Sequence, residues 1–230
     1  MPKDKPPRTL DSNTFYGFQM DKDQQYFVNL CWDETYRIVF CNARAGTGKT
    51  QLATGVANLL YQYRDYDGII YIVSPYGEDK QGFLPGDITK KSEIYYEPLY
   101  QALIKCGISP FVVIDNEPQV SEKKKNSNYY IKCFTHTYLR GANLDNKVVI
   151  IDEAQNFQTE DLKKTLTRLS DSCKTIVIGH EGQIDLTKRN TSGFMKFLNH
   201  FEGQPYSRSC TLTKNYRGIV STWADELREV

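Results

Sequence analysis

The segment Asn42–Ala53, NARAGTGKTQLA, decides how this chain is read. From Ala43 to Thr50 it fits the loose phosphate-loop pattern A/G-x-x-x-x-G-K-S/T, and it misses the strict form, with glycine first, by one methyl group. Backbone N–H groups of Ala45, Gly46, Thr47, Gly48, Lys49 and Thr50 can wrap a β-phosphate at the positive end of a helix. Lys49 would reach the β- and γ-phosphates, and the Thr50 hydroxyl would hold Mg²⁺. The flanks fit that role. Arg37–Ala43 is a short apolar strand, and Lys49–Tyr63 carries Leu52, Val56, Leu59, Leu60 and Tyr63 on one helical stripe.

Two further strand ends follow in the order such a site needs. VVIIDEAQ, residues 148–155, is an apolar run closed by two carboxylates. Asp152 would hold Mg²⁺ through water, and Glu153 would activate or position the attacking water. IVIGHEGQIDL, residues 176–186, puts Gln183 where it could sense a γ-phosphate or the catalytic water, while His180 either accepts a hydrogen bond near the phosphate or caps a loop. On a parallel sheet all three strand ends share one carboxyl edge. Charge spreads over the phosphoryl oxygens in the transition state, so arginines matter. Arg217 in NYRG leads the candidates, followed by Arg140 in YLRG. Arg44 reads equally as a solvent-facing side chain and Arg168 as a helix ion-pair partner.

Strand-like runs at 69–75, 111–115, 131–136, 147–153, 174–179 and 210–213 alternate with helical stretches at 22–32, 95–105, 159–170, 192–201 and 222–230. That alternation predicts an α/β three-layer sandwich with a mostly parallel sheet. Residues 1–14 read as a flexible N-terminal arm and 15–230 as a single domain. The 230 residues leave no room for a two-lobed motor. A net charge of +1 announces no global nucleic-acid binder. Six scattered cysteines and three histidines show no zinc-ligand spacing, which fits reduced, mostly buried thiols and a cytoplasmic protein. No apolar run is long enough to span a membrane.

Beyond the phosphate loop, GFLPGD at 82–87, YEPLYQAL at 96–103, YLRG at 138–141, IIDEAQN, LTRL, QIDL and the Ser192–Gly193 pair stand in register with one family. Over roughly residues 20–225 the chain resembles the PhoH family of P-loop ATPases, itself similar to the first RecA-like lobe of superfamily 1 helicases. The resemblance implies a RecA-like core, ATP with Mg²⁺, and RNA or single-stranded nucleic acid as partner. It also implies that Gln24 reads the adenine edge and that Arg217 touches the γ-phosphate. Two positions depart from the family pattern: Ala43–Arg44 stand for glycine–proline, and His180 stands for an aspartate, which puts fast hydrolysis in doubt. About 20 residues before the resemblance leave no space for the RNA-cleaving PIN domain of some relatives, so the size is similar to standalone forms, including those carried by phages.

Lys123–Lys125 with Tyr129 and Tyr130 could form a phosphate-and-stacking contact, widened by Lys188, Arg189 and Lys196, or could be an ordinary solvated loop. A single lobe leaves its nucleotide at an open sheet edge. The expectation is therefore a homo-oligomer, a hexameric ring in preference, with Arg140 or Arg217 reaching across or sensing in cis. The competing readings are an ATP-gated scaffold with little turnover and a small-molecule kinase.

Overall fold

The computed structural model describes residues 5–75, 94–115, 128–139 and 143–225. In chain order the elements are α1 (Lys22–Trp32), β1 (Ile38–Ala43), α2 (Lys49–Tyr63), β2 (Ile69–Val73), α3 (Glu97–Lys105), α4 (Pro110–Val113), β3 (Ile114–Asp115), β4 (Ile131–Thr135), β5 (Val148–Ile151), α5 (Thr159–Leu166), β6 (Lys174–Gly179), α6 (Phe194–Phe201), β7 (Ser207–Leu212) and α7 (Ile219–Asp225). Among the described residues seven strands form one sheet in the order β3-β4-β2-β5-β6-β1-β7. Every strand pair is parallel.

The inner strands β1, β2, β5 and β6 are almost wholly buried because both faces of the sheet are covered there. Val39, Cys41, Ile69, Tyr71, Val148, Ile150, Ile176 and Ile178 pack toward α1, α2 and α3. Their alternates Ile38, Phe40, Ile70, Ile72, Val149, Ile151 and Val177 pack with Phe157 and Leu162, and with Phe194 and Leu198 of α6. The period of two thus divides one apolar run between two cores, giving the three layers expected.

Phe111–Asp115 is not the full strand its composition predicts. Ser109–Pro110 starts a helical turn there, with proline in the first turn, and only Ile114–Asp115 pair with β4. Phe111 and Val112 stay exposed. Residues 5–14 do not project freely as an arm. They lie along α1, where Leu10 is fully buried, Trp32 Nε1 donates to the Pro7 carbonyl (3.0 Å), and Asn29 brackets the Leu10 backbone with two bonds. The last helix begins earlier than expected, at Ile219, and residues 226–230 lie outside the described residues.

Candidate active site

β1 ends at Ala43 and α2 begins at Lys49. Between them the chain turns through Gly46 (φ 73°) and Gly48 (φ 82°), a backbone region that L side chains rarely enter. The turn is held from three sides. Arg44 N–H donates to the Leu212 carbonyl at 3.0 Å, which ties it to the end of β7, and Tyr216 N–H donates to the Gly46 carbonyl at 2.9 Å. Gln24 Nε2 donates to the Thr47 carbonyl at 2.9 Å. Asn215 lies so close to Gly46 that an added Cβ would fall 2.8 Å from its Cγ. The cradle is therefore shaped for backbone N–H groups at a helix start, where the first four have no intrahelical partner.

Gln24 is placed by local chemistry. Asp21 caps α1: its Oδ1 accepts from Gln24 N–H (2.8 Å), while Gln24 Oε1 accepts from Asp21 N–H (3.1 Å). Asp21 Oδ2 also accepts from the Tyr216 hydroxyl at 2.6 Å. The segment after β7 is thus tied to the helix that carries Gln24.

β5 ends beside the loop. Asp152 is fully buried, and its Oδ2 accepts from the Thr50 hydroxyl (2.8 Å) and the Tyr71 hydroxyl (2.7 Å). Burial, and then the charge of Glu153, push the Asp152 carboxyl above its ordinary range, against the opposing pull of Lys49, Tyr71 and Thr50. Glu153 sits in left-handed backbone (φ 49°), a strained conformation for a non-glycine residue. Its Oε1 lies 3.2 Å from Lys49 Nζ, and its Oε2 accepts from Gln155 Nε2 at 2.6 Å. Gln155 Oε1 in turn accepts from the backbone N–H of His180 at 3.0 Å.

These groups open into a cavity of about 630 Å³. It is lined by Phe18, Met20 and Gln24, by Gly46–Leu52 of the phosphate loop and α2, by Tyr216 and Arg217, and by Gln101 and Lys105 of α3. Of the residues singled out from sequence, Gln24, Gly46, Thr47, Gly48, Lys49, Thr50, Glu153 and Arg217 line this one cavity, with Asp152 beneath it. Ala45 lies within the turn. Gln183 faces a neighbouring cavity of about 570 Å³, which shares Glu153 and Pro98 with the first. Arg44 points away, its Nε 4.0 Å from Asp225. Arg168 lies at a separate small cavity with His136 and Lys164. Arg140, Lys123–Lys125 and the 82–87 segment lie outside the described residues.

Tyr130 is turned inward rather than out to a ligand. It stacks on Tyr61 (4.1 Å between centroids) and donates to Asn58 Oδ1 at 2.6 Å. Lys196 is likewise engaged, with Thr159 Oγ1 and the Asn190 carbonyl.

Tyr71, Asn215, Tyr216 and Gln155 belong to the site and were not assigned from sequence. Asp21-x-x-Gln24 was legible as a capping box, and Gln155 stands in the quoted DEAQ. Tyr71 carried no signal, because its partner is 81 residues away.

The arrangement fits a nucleoside triphosphate with Mg²⁺. A backbone cradle at a helix start, a lysine, and a hydroxyl touching a buried carboxylate are the donors such a ligand needs. Among the described residues no group of three or more His, Cys, Asp or Glu side chains could cage a metal. None of their helices is long and apolar enough to cross a membrane.

Residues 19–220 match the family described as PhoH-like protein. The chain is 32% identical to Protein PhoH of Escherichia coli K12 over 171 residues, covering 74% of this chain and 46% of that protein. It is 37% identical to a PhoH-like protein of Synechocystis over 174 residues, covering 75% and 49%. It is 29% identical to Protein PhoH2 of Bacillus subtilis over 227 residues, covering 95% and 49%. The chain thus spans about half the length of the curated relatives it matches. Among solved structures it is similar to the Sulfolobus solfataricus SWI2/SNF2 ATPase core in complex with dsDNA, at 14% identity and a TM-score of 0.47, over 86% of this chain and 45% of that one. With a family match across most of its length and its phosphate loop, paired carboxylates and cavity in one place, this chain belongs to the PhoH-like family.

Proposed function

We propose that this protein hydrolyses ATP with Mg²⁺ and couples the reaction to binding or remodelling RNA or single-stranded nucleic acid. The observation that carries the reading is the convergence of Lys49, Thr50 and Glu153 on one cavity, with the buried Asp152 bonded to Thr50. Thr50 and Asp152 would hold Mg²⁺, which supplies neutralising charge at the phosphate oxygens. Lys49 binds the β- and γ-phosphates, releasing Glu153 from its ion pair. Glu153 then accepts a proton from the attacking water. Gln155 holds the second oxygen of that carboxylate, and Arg217, on the wall of its own chain's cavity, meets charge developing on the phosphoryl group. Gln24 and Phe18, both on the cavity wall, receive the adenine.

Turnover is the test. Glu153→Gln should retain ATP binding within about threefold while losing turnover about 100-fold or more, and Lys49→Ala should lose both. Unchanged turnover in Glu153→Gln would remove the hydrolytic assignment. One observation favours the ATP-gated scaffold as second reading: both Glu153 oxygens are already engaged, by Lys49 and Gln155. Tight ATP binding without RNA-stimulated turnover would select it.

We further propose a cytoplasmic head-to-tail ring, with six copies preferred. Arg217 and α3 line the cavity from two separate parts of the chain, and a neighbouring copy would close over it.

A further inference from the structure

The loop that carries Gln183 is fastened at both ends by consecutive side chains of the turn that follows Glu153. At its start, His180 N–H donates to Gln155 Oε1 (3.0 Å). At its far end, Asp185 and Asn156 clasp each other: Asp185 N–H donates to Asn156 Oδ1 (2.8 Å), and Asn156 Nδ2 donates to Asp185 Oδ2 (2.9 Å). Asn156 is buried although polar, so the clasp satisfies groups that would otherwise be costly to bury. Asp185 is exposed and could have served solubility alone, yet it reaches back across 29 residues. Gln155 also grips Glu153 Oε2 at 2.6 Å. One three-residue turn, Ala154–Asn156, therefore fixes the carboxylate on one side and the Gln183 loop on the other.

We infer that the Asn156–Asp185 clasp is a positioning device for hydrolysis, holding Gln183 in fixed register with Glu153 across the cavity they share. Both residues line the cavity that Glu153 and Gln183 share, not the phosphate-loop cavity, and their side chains are spent on each other, which makes them positioning residues. The clasp acts through Gln183 and Glu153. It rests on the reading of those two as the groups nearest the attacking water. Displacing such a group by about 1 Å costs on the order of 100-fold in rate while leaving binding untouched. The clasp should thus appear in kcat and not in nucleotide affinity.

The clasp can be rebuilt in reverse, which provides the test. Asn156→Asp sets two carboxylates against each other. Adding Asp185→Asn restores one amide and one carboxylate with their places exchanged. The expected result is a fall in kcat of about tenfold or more for Asn156→Asp and for Asp185→Ala, with the Kd for ATP held within about twofold. The exchanged double variant should recover kcat to within about threefold of the parent. The inference is overturned if Asp185→Ala keeps full kcat. It is also overturned if kcat and ATP affinity fall together, or if the double variant melts like the parent and stays slow. Should Asn156→Asp fail to fold, Asp185→Ala and the double variant still decide. Gln183→Ala belongs in the same series. Unchanged kcat there sinks the reading of Gln183 itself, while a slow Gln183→Ala beside a fast Asp185→Ala sinks the clasp alone.

Discussion

Gly46 shows how little freedom a single position can have. Its φ of 73° excludes most side chains, and an added Cβ would sit 2.8 Å from Asn215 Cγ and 3.1 Å from Arg217 Cγ. Gly46→Ala should therefore displace the segment that carries Arg217, and we expect ATP affinity to fall about tenfold or more with the fold intact. Titration of a fluorescent ATP analogue, with a thermal melt as control, measures this. The residues readable in advance were those whose chemistry fixes both type and spacing: Gly46, Lys49, Thr50, Asp152 and Glu153. Asn215 and Tyr71 were not readable. Their roles come from what lies beside them, and adjacency in a folded sheet leaves no mark in local sequence. Gln183 was readable as a loop residue, but its cavity, separate from the phosphate loop, was not.

At the level of elements, Lys174 joins β6 to the end of α1. It is buried, and its ammonium donates to the carbonyls of Asp33 (2.7 Å), Tyr36 (2.6 Å) and Leu30 (3.3 Å). Those acceptors include the Leu30 carbonyl in the final turn of α1, a turn with no basic residue of its own, and the carbonyl of its C-cap Asp33. Lys174→Met leaves them unsatisfied and should cost about 1–3 kcal/mol at pH 7. The difference should also depend on pH. Burial lowers the folded pKa of Lys174 to about 8, and unfolded lysine titrates near 10.4. Between these values the unfolded chain binds more protons, so this group adds stability as pH rises, by at most about 1.4 kcal/mol per unit. Its penalty is complete below pH 8. Parent and variant share the buried cysteines Cys41 and Cys133, whose raised pKa values act in the opposite direction, so their effect largely cancels in the comparison. Urea unfolding of both proteins at pH 7 and pH 9.5 should show the gap widening, and a constant gap would refute the assignment. Most elements were legible from periodicity. The failure at α4 and β3 has a physical cause: Phe111 and Val112 look like strand residues by type, but Pro110 starts a helical turn and leaves them at the surface.

For the molecule as a whole, the layers and the shared carboxyl edge followed from alternating apolar runs, while the strand order did not. No local pattern states that β1 lies between β6 and β7. The proposed ring is also a whole-molecule claim. Mass measured in solution, with and without nucleotide, should show a concentration-dependent multiple of 26.5 kDa. A strict monomer that hydrolyses ATP efficiently at every concentration would remove it. The strand order carries one more consequence, for synthesis. Among the described strands β1 is made first, yet its ladder partners there lie in 174–179 and 207–212, made more than 130 residues later. Until those arrive, the phosphate loop of the nascent chain lacks its bonds to Leu212 and Tyr216, and Asn215–Arg217 do not yet exist to brace Gly46. The nucleotide pocket is thus completed only after β7 and the Asn215–Arg217 segment have been made, and a ribosome stalled before β7 holds a chain that cannot form it.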